Sequence, residues 1–143
     1  MKKSNSVRSF LKFAFFIYLF AVLYITFLSR EAEETRSNFE LFNSYIMFFK
    51  YKNDFYLDMI VYNIIMTIPF GIFLPLLYKP FRSFRRVAFA GFLYSLLIEI
   101  SQFISGRGLF ELDDLFNNTI GAMLGYWLYI LFNKVMIYIL KDK

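Results

Sequence analysis

Apolar residues run along this chain in four blocks separated by polar stretches. The first spans about residues 10–28, "FLKFAFFIYLFAVLYITFL", and the second about 57–78, "LDMIVYNIIMTIPFGIFLPLLY". The third covers about 87–104, "VAFAGFLYSLLIEISQFI". The fourth, about 113–140, contains "TIGAMLGYWLYILFNKVMIYIL", and its helix begins as early as Asp113. Each block is about as long as a helix crossing a hydrocarbon core of roughly 30 Å. The pattern predicts an all-α membrane protein, a bundle of four transmembrane helices forming one domain over residues 1–143.

Composition agrees. The chain is 59% hydrophobic and 23% aromatic, and 19% charge is too little to cover a soluble domain of this size. "SREAEE" after the first block is a poor cleavage site, and the apolar run exceeds the ~7–15 residues of a signal peptide. It reads as an uncleaved first span. The net charge of +5 belongs to topology, not to nucleic acid, because the cations flank the apolar blocks.

Those cations set the orientation. Lys2, Lys3, Arg8 and Lys12 precede or open the first block, and "KPFRSFRR" brings Lys79, Arg82, Arg85 and Arg86, both without an acid. The C-terminus carries Lys134, Lys141 and Lys143 against Asp142. The other two links mix charges: Arg30, Arg36, Lys50 and Lys52 with Glu31, Glu33, Glu34, Glu40 and Asp54, then Arg107 with Glu111, Asp113 and Asp114. Both termini are therefore expected in the cytoplasm. Within the first outer link, "NFELFNSYIMFF" is too short and mixed to cross, and suits a short interfacial or re-entrant helix. A hydrophobic plug under the outer loops is the other reading.

Neither Cys nor His is present. Disulfides, thiol nucleophiles, Ser-His dyads and the usual zinc and haem ligands are excluded. Chemistry is left to carboxylates, amides, hydroxyls, Lys, Arg and Tyr. Polar side chains at membrane depth are costly and mark candidate sites. Ser95, Glu99 and Gln102 fall at i, i+4 and i+7, on one helix face. Glu99 lies roughly 7–8 Å below the outer end at 1.5 Å per residue. Asp58 stands at the mouth of the second block, with Asn63 further in. Asn117 and Asn118 come about one turn below Asp113.

Asn63, Glu99, Gln102 and the asparagines thus share one depth and can meet in a bundle. Gly121 and Gly125 permit the close helix approach this needs. The alternative is a structural polar knot that fixes helix register. Asp113 and Asp114 suit a helix N-terminus, where one is enough for capping and the other is free for an ion, a ligand or Arg107. Arg107, between two glycines, is either a solvated loop charge or a guanidinium fork for phosphate or carboxylate. Pro69 and Pro75 should kink the second helix.

These residues resemble the VanZ-like family of small bacterial membrane proteins, named for a teicoplanin-resistance accessory protein. The resemblance is carried by Asn63 with Pro69-Phe70-Gly71, by Ser95, Glu99 and Gln102, and by Arg107, Asp114, Asn118, Gly121 and Gly125. "NFELF" from Asn38 looks like the family's Asn-Leu-x-Pro-Phe element without its proline. "RGLFELDD" departs from the family's Arg-x-Phe-Asp, placing Glu111 at the first acid position and one more residue after Arg107. The resemblance covers about Asn38 to Tyr126 and implies a cell-envelope role with glycopeptide tolerance.

Three functions compete. The first is a non-enzymatic protein of the bacterial cell membrane whose outer cleft binds an amphiphile. That ligand is a membrane lipid, a lipid-linked wall precursor, a polyprenyl phosphate or a lipoglycopeptide. Its ligand-binding residues are Asn63, Ser95, Glu99, Gln102, Arg107, Asp113, Asp114 and Asn118, and it requires no cofactor. The second is an intramembrane enzyme with Glu99 as general base and Asp113 and Asp114 as metal candidates for a divalent cation. The third, transport through Glu99, requires a homo-oligomer, which the chain allows. The first is preferred.

Overall fold

The structure, a computed structural model, describes residues 2–29 and 37–141. The mixed charges Arg30, Glu31, Glu33, Glu34 and Arg36, together with Asp142 and Lys143, lie outside the described residues. Each apolar block is a helix, as hydrocarbon demands of a backbone that must satisfy its own polar groups. Helix α1 runs Lys2–Leu23 and continues as a π-helical turn, Tyr24–Leu28. Strand β1, Ser37–Asn38, and helix α2, Asn43–Tyr51, follow. Helix α3 is Asp54–Leu77, a 3-10 turn spans Lys79–Phe81, and α4 is Phe84–Ser105. Strand β2, Phe110–Glu111, leads directly into α5, Leu112–Lys141.

Among the described residues three helices are long and apolar enough to cross a membrane: Asn5–Leu28, Asp54–Leu77 and Phe84–Ser105. Helix α5 is the longest at 30 residues, but its first turns carry Asp113, Asp114, Asn117 and Asn118. It is not one of those three. The expected prolines lie inside α3, and the helix continues through both to Leu77. Gly106 ends α4 in the left-handed conformation, φ 64°, which costs glycine nothing.

Only the second half of "NFELFNSYIMFF" is helical. Asn38 belongs to β1, which pairs in parallel with β2 in the register Ser37↔Phe110 and Asn38↔Glu111. Phe42 and Lys52, both with positive φ, bracket α2. The two polar loops are therefore joined to each other at one end of the bundle, called here the loop end. The α3–α4 link marks the opposite, link end.

The bundle is tightest between α3 and α5. A methyl group on Gly71 would lie 2.0 Å from the Ala122 carbonyl oxygen, and one on Gly125 2.1 Å from that of Ile68. On Gly121 it would lie 2.2 Å from the Ile64 carbonyl oxygen. Small residues are what let two backbones approach this closely within a membrane. Helix α1 packs differently, through Phe15 against Phe70, Leu74 and Leu77. Its opposite face leaves Phe10, Phe13, Phe16 and Phe20 exposed, as a lipid-facing helix would.

Candidate functional site

The helical spacing of Ser95, Glu99 and Gln102 puts all three on the inward face of α4, at 0%, 1% and 3% exposure. Asn117 and Asn118 are equally buried on α5. Hydrogen bonds join three helices here. Asn118 Nδ2 donates to Ser95 Oγ at 2.9 Å, and Thr67 Oγ1 donates to the Asn118 carbonyl at 2.8 Å. One turn toward the loop end, Asn63 Nδ2 donates to Asp114 Oδ1 at 2.6 Å. The geometry brings Asn63 to Asp114 and Ser95 to Asn118, while Glu99 and Gln102, expected at the depth of Asn63 and the asparagines, bond to other elements. Asn118 Oδ1, fully enclosed, has no hydrogen-bond partner among the described residues.

The remaining expected site residues turn outward from this knot to hold other elements. Glu99 accepts the backbone N–H of Glu111 at 2.9 Å, so its carboxylate fastens β2. What Glu111 gives Glu99 in this contact is its peptide N–H, which any non-proline residue supplies. Gln102 Nε2 donates to the Thr26 carbonyl at 2.8 Å, within the π-helical turn of α1. Arg107 is half-buried, not a freely solvated loop charge. Its Nη1 lies 3.4 and 3.5 Å from the carbonyls of Phe27 and Leu28, and its guanidinium sits 5.5 Å from the Phe27 ring centroid. A cation is well placed there, because the last carbonyls of a helix carry partial negative charge. Asp58 is exposed at the start of α3.

Asp113 differs from expectation. Its side chain was expected to cap its own helix or stand free for a ligand. Instead Oδ1 accepts the Phe42 N–H at 2.5 Å and Oδ2 the Ser44 N–H at 2.7 Å. The carboxylate caps α2 from another helix, because the left-handed turn at Phe42 leaves two donors pointing the same way. Both oxygens are engaged, and Asp113 is 2% exposed. Each Asp113 oxygen thus spends one acceptor site on a peptide N–H of the α2 start. Among the described residues no three acids gather as a metal-binding group.

Several participants escaped the sequence reading. Tyr45 on α2 donates its hydroxyl to Asn117 Oδ1. Burial, and then the Asp113 carboxylate, raise the Tyr45 pKa and keep it a donor. Asn117 and Asn118 are neighbours in sequence but point about 100° apart on the helix, so one meets α2 and the other α4. Thr67 could have been found, since it lies one turn from Asn63 on the same face. Thr26 is the lone Ser or Thr in the first apolar block, and that was the available signal.

The profile of the VanZ/LLP1 family matches residues 15–133. The chain belongs to the VanZ/LLP1 family. The matched region takes in every member of the polar knot and both loop strands, but not the first part of α1. The chain is also similar to "Protein VanZ" of Enterococcus faecium, 40% identical over 74 residues. That stretch is 52% of this chain and 45% of that protein, so the chain spans less than half the length of this relative. No solved structure matches. Family membership and three apolar helices together make this a membrane protein.

Proposed function

We propose that this chain is a multi-pass protein of the bacterial cell membrane that holds the polar part of an amphiphile beneath its outer loops, and that it contributes to glycopeptide (teicoplanin) tolerance. Helix α5 is the fourth span, both termini face the cytoplasm, and α2 lies at the outer interface. The ligand is a lipid-linked wall precursor, a polyprenyl phosphate or a lipoglycopeptide. Arg107 takes its anionic group, and Asn63, Glu99, Gln102 and Asn118 read its hydroxyls and amides.

The observation that carries this reading is the burial of Ser95, Glu99, Gln102, Asn117 and Asn118 at no more than 3% exposure, all at the loop end. Polar groups so placed are expensive in a membrane unless they serve a purpose. Apolar grooves flank them. One of about 280 Å³ runs between Leu41, Phe92 and Phe116, and another of about 220 Å³ between Phe39, Ile100, Phe103 and Phe110. These suit the chain of an amphiphile whose head lies at the knot. Because the loops cover the knot, the ligand reaches it through such a groove or after the loops part.

The test compares the parent with Arg107→Ala and Glu99→Gln, expressed in a glycopeptide-sensitive host. Lipid mass spectrometry on the purified proteins should show a co-purifying amphiphile in the parent and its loss in Arg107→Ala. Survival on teicoplanin should fall in both variants while membrane levels stay the same. Unchanged survival and an unchanged lipid complement would overturn the proposal.

A further inference from the structure

The link end carries a second arrangement of charge that the polar knot does not use. Three arginines from two segments converge on the last turn of α3 and the turn after it. Arg8 Nη2, from α1, donates to the Leu77 carbonyl at 3.1 Å. Arg82 Nε donates to the Pro75 carbonyl at 3.3 Å, and Arg86 Nη1 to that of Pro80 at 2.8 Å. Phe81, between Pro80 and Arg82, packs against the core. Lys79 and Arg85 are exposed on the same link.

Helix-end carbonyls use only part of what these side chains offer. A guanidinium has five N–H donors, and each arginine spends one in these bonds. Among the described residues no Asp or Glu lies at this end; Glu40, Asp54, Asp58, Glu99, Glu111, Asp113 and Asp114 are all at the loop end. The cations are thus pre-positioned, with their charge uncompensated by described acids.

We propose that this cluster is a binding site for an anionic phospholipid, whose phosphodiester lies between Arg8, Arg82 and the exposed Lys79 and Arg85. Fixed guanidinium forks suit phosphate oxygens. The apolar surroundings favour a lipid over a soluble phosphate. Leu76 and Tyr78 are exposed at 39% and 41% beside the cations, and Phe89 at 62% one span over. Exposed Trp127 stands with Phe84 at 6.0 Å between ring centroids, an aromatic pair of the kind that settles at headgroup level. A basic cluster at the end of spans attracts lipids of net negative charge and not zwitterionic ones. The orientation proposed above decides only the leaflet, which is the cytoplasmic one.

The test uses the full chain in nanodiscs of mixed phosphatidylcholine and phosphatidylglycerol, with retained lipid counted by native mass spectrometry. The parent should retain phosphatidylglycerol roughly tenfold over phosphatidylcholine, and Lys79→Gln/Arg85→Gln should bring the ratio near parity. Those two side chains are separate from the carbonyl bonds, so the melting temperature in detergent should not change. Arg8→Lys/Arg82→Lys keeps the charge and removes the fork, and should retain less phosphatidylglycerol than the parent. Equal retention of the two lipids by the parent would overturn the site, as would an unchanged ratio in Lys79→Gln/Arg85→Gln. Full displacement of the lipid by soluble glycerol phosphate would also overturn it. Arg107→Ala leaves this ratio untouched if the two sites are separate, so failure at the loop end is read independently.

Discussion

Helices α3 and α1 both lie against the rest of the bundle, but they are held by different means. Between α3 and α5 the contact is one of shape. Backbone meets backbone at Gly71, Gly121 and Gly125, with no room for a methyl group. Helix α1, besides the packing of Phe15, is held by handles: Tyr18 Oη donates to the Met66 carbonyl at 2.8 Å, Gln102 and Arg107 reach its C-terminal turn, and Arg8 reaches back to Leu77. A contact of shape fails all at once when a side chain is added. A contact by handles loses strength one bond at a time.

That difference can be broken most severely at the shape contact. Gly121→Leu should force α3 and α5 apart and cost about 3 kcal/mol or more, since the obstacle is backbone and cannot swing aside. Loss of the folded fraction on size-exclusion chromatography and in thermal unfolding would show it; a wild-type melting curve would refute the tight seam. Asp113→Ala comes next. It leaves the N–H groups of Phe42 and Ser44 without their acceptor and should cost about 2–3 kcal/mol. Hydrogen exchange should rise at residues 42–45 and stay low in α3 and α5. If exchange rises everywhere, the loop end is not a separable layer. Gln102→Leu, the removal of one handle, should cost only about 1 kcal/mol. Cross-linking between α1 and α4 should then broaden in distance while the α3–α5 distance is kept.

What was readable in the sequence follows the same division. The four blocks announce themselves because twenty consecutive apolar residues have few other uses. The Ser95–Glu99–Gln102 face and the Gly121–Gly125 spacing were readable because helical periodicity is a local property. Gly71 carries its close contact without a periodic partner, so only its place in the family motif drew attention to it. The sequence leaves Arg107 between a solvated loop charge and an anion fork; its contact with the last carbonyls of α1 depends on how two loops fold over each other. Asp113 was the hardest. Its partners are peptide N–H groups on Phe42 and Ser44, and peptide groups leave no mark in a sequence. The β1–β2 pairing is only two residues long and shows no alternation.

The reach of Asp113 has a consequence for how the molecule is made. Its partners at the start of α2 are 71 and 69 residues earlier in the chain, and the Tyr45–Asn117 bond spans 72. During synthesis α2 therefore emerges with its first N–H groups unsatisfied, and their acceptor lies on the third α-helix to follow it. The arrival of α5 completes it. Closure of the loop end is thus a late event in assembly, and it requires the Asp113 end of α5 to lie on the same side as α2.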